Sequence, residues 1–405
     1  LIGDYLNDYM YGDSGEDILL GYDGNDYLYG GNGNDTLEGG AGDDHLYGQD
    51  GRDTIKFGLG SGHDTLHTSL KEYDVVKFGT GVLTSDIVLS RGSNVDDLII
   101  TISSTGDTLT VDDMFNHLSG SNPWWYTVSE FYFEDGTVWD DQFVRDKYIA
   151  DNITSGNDVT RGFDNNNVFA SSAGDDDIYG YQGDDSYYWG AGAGDDYIQE
   201  TTSNGDFDQL FLEGLNVADI SINRSSNLDN LIITNDMTGE TVEIYRQFWA
   251  DSSYYRLDQI NFSDGSFWNE YDIEDAYIAQ NITSGSDVTR GFDSDNVFAS
   301  SAGNDTIYGY DGDDHYYWGA GAGNDYIQDS SSYDTNTLTL EGLNVSDLSF
   351  VRSSNQDNLI ITNNATGETI QIYRQFWSTN PAYKVSVFNF ADGTIWTENT
   401  VEFAV

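Results

Sequence analysis

The chain has 405 residues, room for about two to four domains, and sets 71 acidic side chains against 15 Lys and Arg, a net charge of −56. That charge repels a phosphate backbone and excludes nucleic acid as a partner. An aromatic content of 14% excludes a disordered chain, and no apolar run approaches the roughly 18 residues of a membrane span. The acid is 56 Asp to 15 Glu, and with 45 Gly it points to many acidic turns, the natural partners of divalent cations. There is no cysteine, so a structural metal is the available staple for several small cores.

From Gly12 the chain reads in nines: GDSGEDILL, GYDGNDYLY, GGNGNDTLE, GGAGDDHLY, GQDGRDTIK. Position six is Asp17, Asp26, Asp35, Asp44 and Asp53, and position eight is Leu19, Leu28, Leu37, Leu46 and Ile55. A degenerate unit with Asp8 and Met10 precedes them. After Lys56 the register slips by two residues, and GSGHDTL then supplies Asp64 and Leu66. Next comes strand, Thr-Gly turn and strand in LIITISSTGDTLTV at 98. An Asp-Gly hairpin follows in FEDGTVW at 133, with a short helix predicted in DDQFVRDKYI at 140. Residues 153–278 return almost unchanged as 282–405, and 58–150 is a more diverged copy of the same module. The expected divisions are 1–67, an array of nines; 68–150, its β-rich cap; and 151–279 and 280–405, each a short array with a cap.

Glycine at position four, and often at one and two, lets each unit curl tightly and aim carbonyls inward. Position six adds a hard anionic oxygen, while position eight points into a core from a very short strand. Two units make one coil of a flat parallel helix, so like loops stack every 18 residues. Asp17 then lies beside Asp35, Asp26 beside Asp44, and Asp176 beside Asp196 across a second two-residue slip. Stacked carboxylates repel unless a cation lies between them. Oxygen ligands without Cys or His select calcium or magnesium over zinc, and a roomy cage of flexible carbonyls favours calcium.

The pattern G-G-x-G-x-D-x-U-x resembles the RTX (haemolysin-type) calcium-binding β-roll. The segments at 98, LIITNDMTGETVEIY at 231 and LIITNNATGETIQIY at 359, with hairpins FEDGTVW, FSDGSFW at 262 and FADGTIW at 390, resemble the haemolysin-type calcium-binding related domain. The implied fold is all-β: tandem parallel β-rolls, each followed by a small antiparallel β-rich cap that covers the open last coil. The resemblance implies ligation by the position-six carboxylate and the carbonyls of positions two and four, from two units one coil apart. One such site would join Asp13, Gly15 and Asp17 to Gly31, Gly33 and Asp35. The same carry-over gives Asp8, then Tyr22, Gly24 and Asp26, Gly40, Gly42 and Asp44, Gln49, Gly51 and Asp53, and Gly60, Gly62 and Asp64. In the second module it gives Asp158, Asn167, Gly174, Asp176, Gly183, Asp185, Gly192, Gly194 and Asp196. In the third it gives Asp287, Asn296, Gly303, Asp305, Gly312, Asp314, Gly321, Gly323 and Asp325. Departures at Leu6, Asn165, Asn167, Asn296, Thr160 and Thr289 imply weaker or absent sites there. Calcium at roughly ten sites is expected, about five in the first array.

His63 and His67 are four apart, but a predicted strand and loop would not give them a common face. Neighbouring Asp residues recur too often for a single active site, and no H-E-x-x-H, G-x-S-x-G or P-loop occurs, so no enzyme activity is expected. Trp124, Trp125, Trp189, Trp249, Trp318 and Trp377 are read as packing under the caps rather than as sugar contacts. Arg246 and Arg374 are expected to pair with Asp. The terminus Glu402 to Val405 is similar to some type I secretion signals, although Ile273–Ala276 repeats it. Leu1 opens inside a repeat, so the expectation is a fragment or a processed product. The family resemblance implies type I export and calcium-driven folding outside the cell or at its surface. Tandem modules favour a structural or adhesive stalk, matrix or surface layer, with cell-surface glycans or other copies of the chain as partners. The alternatives are the secretion and folding tail of a larger enzyme or toxin, and a calcium-dependent glycan-binding module.

Replacing Asp35 is expected to weaken two neighbouring sites of the first array together. Isothermal titration with calcium would show both effects, and an unchanged stoichiometry and affinity would disprove the register.

Overall fold

The computed structural model describes residues 1–67, 73–94, 96–115, 128–201, 205–249, 255–330, 334–377 and 384–405. His117, Trp124 and Trp125 lie outside the described residues. The chain divides into two compact units, Leu1–Tyr188 and Trp189–Val405.

In the first unit each nonapeptide forms a short strand and a turn. The strands are β1 (Tyr9–Tyr11), β2 (Ile18–Asp23), β3 (Tyr27–Asn32), β4 (Thr36–Ala41), β5 (His45–Asp50), β6 (Thr54–Phe57), β7 (His63–His67) and β8 (Asp74–Phe78). Odd strands stack in one sheet and even strands in another. The pairing is parallel, with Leu28 against Leu46 and Leu19 against Leu37. After the slip Leu46 meets Leu66, a spacing of 20 instead of 18. Period-two alternation turns position eight inward. Leu19, Leu28, Leu37, Leu46, Ile55 and Leu66 have no exposure and form the core between the sheets.

The cap strands are β9 (Ile87–Arg91), β10 (Leu98–Ile102), β11 (Thr108–Val111), β12 (Val128–Tyr132) and β13 (Val138–Asp140). β11 lies parallel on β7 and β12 parallel on β8, so each roll sheet runs on into the cap. Antiparallel pairing begins only one strand later, between β10 and β11 and between β12 and β13. The cap thus extends the roll and is not a separate antiparallel plug. Helix α1 (Asp141–Asn152) follows the hairpin as expected, with the Asp140 carboxylate accepting from Phe143 N–H as an N-cap. The unit ends in the first coils of the next roll, where Val159–Arg161 pairs with Asp177–Tyr181, Val168 with Ser186 and Phe169 with Tyr187.

The second unit holds the rest of that module and a complete third one. In the third module the strands Val288–Arg290, Thr306–Tyr308 and Asp325–Gln328 continue into Thr369–Ile372, and His315–Gly319 and Asn336–Glu341 continue into Val385–Phe390. Helices α2 (Glu270–Asn281) and α3 (Glu398–Ala404) occupy the place of α1 after their hairpins. The Glu402–Val405 stretch therefore has a repeat counterpart in structure as well as in sequence. Among the described residues no helix is long and apolar enough to cross a membrane.

In-register stacking makes one glycine a sharp probe. Gly33 has φ +135°, and a β-carbon there would overlap the Gly15 carbonyl oxygen one coil earlier. Gly60 has φ +83°, with nothing within 4 Å of a built β-carbon. Gly33→Ala should cost about 3 kcal/mol or more and Gly60→Ala about 1 kcal/mol. Denaturant unfolding of the calcium-loaded protein checks this, and equal losses would refute the stacking.

Candidate calcium sites

The turns present a second backbone signature beside their glycines. Position two keeps a positive φ even where it is not glycine: 69° at Asp13, 76° at Tyr22 and 70° at Gln49. The same conformation returns at Tyr181 and Tyr310. Successive turns are tied by their backbones, with Gly15 N–H donating to Asn32 O at 2.8 Å and Gly33 N–H to Asp50 O at 2.8 Å.

The carboxylates form two columns. One Oδ of each aspartate accepts the backbone N–H of the aspartate one coil earlier. Asp8 N–H donates to Asp26, Asp26 to Asp44 and Asp44 to Asp64, at 2.8, 2.8 and 3.1 Å. In the other column Asp17 N–H donates to Asp35, Asp35 to Asp53 and Asp53 to Asp74, at 2.7, 2.7 and 2.8 Å. The predicted neighbours Asp17 and Asp35, and Asp26 and Asp44, are thus in contact. The other oxygen behaves differently. Oδ2 of Asp17, Asp26, Asp35, Asp44 and Asp64 is buried with no hydrogen-bond donor among the described residues. An orphaned buried anion costs far more than a satisfied one, and a cation is what would satisfy it.

The electrostatics agree. Burial first, then the neighbouring Asp44 carboxylate, pushes Asp64 up to about 8. Burial and Asp26 push Asp44 up to about 6. Burial raises Asp314 to about 8 and Asp325 to about 7. Left to themselves, Asp64 and Asp314 would hold protons at neutral pH. All the donors are oxygens, which suits calcium, and the ion would supply charge neutralisation and a cross-link between coils.

The columns recur. Asp158 N–H donates to Asp176 at 2.9 Å and Asn167 N–H to Asp185 at 2.7 Å. In the third module Asp287 N–H donates to Asp305, Asp305 to Asp325 and Asn296 to Asp314, each at 2.9 Å. Thr160 and Thr289 are buried at the apolar position, donating to Asn152 O and Asn281 O at 3.2 Å.

Five groups were hidden from the sequence. Asp74 and Asn336 carry the second column one rung beyond the nonapeptides, since Asp314 N–H donates to Asn336 at 2.8 Å. Their distances from Asp53 and Asp314 are 21 and 22, off the 18-residue period. The acidic residue of each Thr-Gly turn grips the slip loop. Asp107 accepts from Gly60 and Gly62 N–H at 2.6 and 3.0 Å, Glu240 from Gly192 at 2.8 Å and Glu368 from Gly321 at 2.9 Å. Burial works against Asp107, yet Thr105 and the two glycine donors hold it below the usual carboxylate range. The repeated TGD/TGE tripeptide was the available signal.

Two expectations change. His63 and His67 both lie on β7, where alternation gives residues four apart a common face. They serve different neighbours, however: His63 meets Thr108 at 3.0 Å, while His67 meets His45 at 2.8 Å and Asp112 at 2.6 Å. Arg246 lies on rings and forms no ion pair among the described residues. Its guanidinium is 4.1 Å from the Trp249 ring centre, as Arg374 is from Trp377. A crowd of aromatics outcompetes an exposed carboxylate there. Trp189 and Trp318 are buried core residues, as the sequence reading expects.

Comparison with known proteins gives two families. The RTX calcium-binding nonapeptide repeat (4 copies) matches residues 2–37, 29–66, 161–198 and 290–327. The haemolysin-type calcium binding protein related domain matches residues 97–142, 230–272 and 358–400. No curated protein matches the chain. Among solved structures, the extracellular lipase LipA from Serratia marcescens is similar over 59% of this chain at 16% identity, with a TM-score of 0.22. The chain spans 40% of that lipase's length. Buried carboxylate columns and both family matches lead to one conclusion: the chain belongs to the RTX calcium-binding repeat proteins, with a haemolysin-type calcium-binding related domain after each roll.

Proposed function

We propose that the chain is a structural or adhesive extracellular segment whose rolls fold on calcium after type I export, and that it has no catalytic role. The observation that carries this is the column of buried Oδ2 atoms without donors in the first array. The core offers one inward apolar side chain per nonapeptide, too little to hold the stacked carboxylates together alone. Calcium bound only to the folded state adds about 2.7 kcal/mol per site at one hundred times its dissociation constant. In calcium-poor cytosol the chain would stay unfolded, and outside the cell it would fold. Three copies of one module suit a stalk, matrix or surface layer. Roughly ten ions, about five of them in the first array, follow from the motif.

A second reading, as a glycan-binding module, draws on the outer face of β1, β3, β5 and β7. Tyr9, Tyr27 and His45 stack at 4.7 and 4.6 Å between ring centres, and Tyr11, Tyr29, Tyr47 and His67 at 4.8, 4.5 and 4.3 Å. An open groove of about 320 Å³ runs beside them, lined by Tyr11, Asp13, Tyr29, Gly31, Asn32, Gln49 and Asp50. Flat rings beside acidic and amide groups suit a sugar ring.

Circular dichroism in chelator should show loss of most of the β signal, with recovery on adding calcium. Full β signal in chelator would sink the folding account. A glycan array with and without calcium decides the second reading.

A further inference from the structure

The later rolls differ from the first array in what meets their carboxylates. Thr154 N–H and Oγ1 both donate to Asp158 Oδ2, at 2.6 and 2.8 Å, and Thr283 does the same to Asp287 at 2.7 and 2.8 Å. Ser172 Oγ donates to Asp176 Oδ2 and Ser301 Oγ to Asp305 Oδ2, both at 2.7 Å. The oxygen that is orphaned in the first array therefore has a hydroxyl partner here. In the other column the first residue is an amide. Asn167 Oδ1 accepts from Phe163 N–H and Asn296 Oδ1 from Phe292 N–H, both at 2.6 Å.

Each such coil also faces the cap before it. Within the second roll Gly162 N–H donates to Tyr179 O at 2.7 Å. The equivalent acceptor 18 residues earlier is Arg161 O, in the roll's first coil. Arg91, at the end of β9, fills the missing donor's place, with Nη2 reaching Arg161 O at 3.3 Å and Gly162 O at 3.1 Å. Its guanidinium lies among three rings: Phe115 of the cap at 4.9 Å, Tyr148 of α1 at 5.1 Å and Phe163 of the new roll at 4.9 Å. The next joint repeats this with other residues. Arg224 Nη2 reaches Gly291 O at 3.1 Å, among Phe248 at 4.9 Å, Tyr277 at 5.0 Å and Phe292 at 4.1 Å. Two joints built alike from cap, helix and coil are a device of the fold.

We propose that the first coils of the second and third rolls are calcium-free joints, in which the arginine of the preceding cap and the coil's own hydroxyl and amide groups supply the charge and hydrogen bonds that calcium supplies in the first array. Asp158, Asn167, Asp287 and Asn296 then leave the set of ion ligands. Removing calcium opens the first array and leaves the joints closed, so the modules stay joined through a calcium drop and refolding starts from both joints. The proposal rests on calcium-coupled folding of the first array.

Hydrogen exchange of the full chain, followed by mass spectrometry in calcium and in chelator, tests it. Amides of 18–57 should exchange about 100-fold faster or more in chelator, and those of 159–169 and 288–298 less than about 3-fold faster. Arg91→Met should loosen 159–169 with or without calcium and spare 288–298. Arg224→Met should do the reverse, and the bound calcium measured by elemental analysis should stay constant in both. Joints that open at the same calcium concentration as 18–57, or a bound ion lost in either variant, would overturn the proposal. If neither variant folds, Asp158→Asn decides: an unchanged calcium count supports the joint, and a lost ion refutes it. Should 18–57 itself stay protected in chelator, the calcium-folding account falls, while the calcium counts still judge the joints.

Discussion

Everything in this fold depends on how an aspartate divides its two oxygens. One accepts the backbone N–H of the coil before and so sets the register of the roll. The other has nowhere to go. In the first array it is buried without a donor and stacked 18 or 20 residues from its like. The hydrogen bond that builds the roll is thus the same contact that buries the charge. A larger core could carry that cost, but a flat roll has only a line of Leu and Ile between its sheets. The geometry therefore demands a cation at the step where it achieves order.

That demand also explains how a roll stops. The next rung opposite Asp64 is Leu109, and opposite Asp74 it is Val128. In the third module Ile370 lies opposite Asp325 and Val385 opposite Asn336. Each column ends when an apolar side chain takes the place of the carboxylate, although the parallel sheet runs on. The displaced acid reappears in the turn before that strand, as Asp107 or Glu368, where backbone N–H groups of the slip loop receive it. The two-residue slip is the loop that presents those donors. A cap is thus a continuation of the roll in which ion-dependent contacts give way to ordinary hydrogen bonds.

What was legible in the sequence follows the same division. Positions six and eight repeat strictly, because each does one job in every coil, and the columns and the core could be read from them. The slip could be read because it occurs three times. Asp74 and Asn336 could not, because extra residues before them break the period and their role exists only through contacts across the roll. Arg91 and Arg224 gave no signal either. Their partners are backbone carbonyls about 70 residues away and rings from three different elements. Pairing Arg246 with Asp was a sound prior in so acidic a chain. It failed because a side chain with rings on hand keeps a favourable contact without desolvating a carboxylate.

The scarcity of cations gives the last step. Fifteen Lys and Arg face 71 acids, so fixed cations are scarce. Lys56 meets Glu38 on the outer face of the roll, and Lys147 meets Asp151 on α1. Arg91 and Arg224 stand at the start of a roll, where a coil has a neighbour on only one side. A calcium cage needs loops from two stacked coils, so the outermost loop of a roll cannot complete one on its outer side. A guanidinium on a long stem can enter from outside and donate to that loop's carbonyls in the plane where a preceding strand would have done so. Fixed cations therefore suit the ends of rolls and exchangeable cations their interiors, and a chain of alternating rolls and caps requires both.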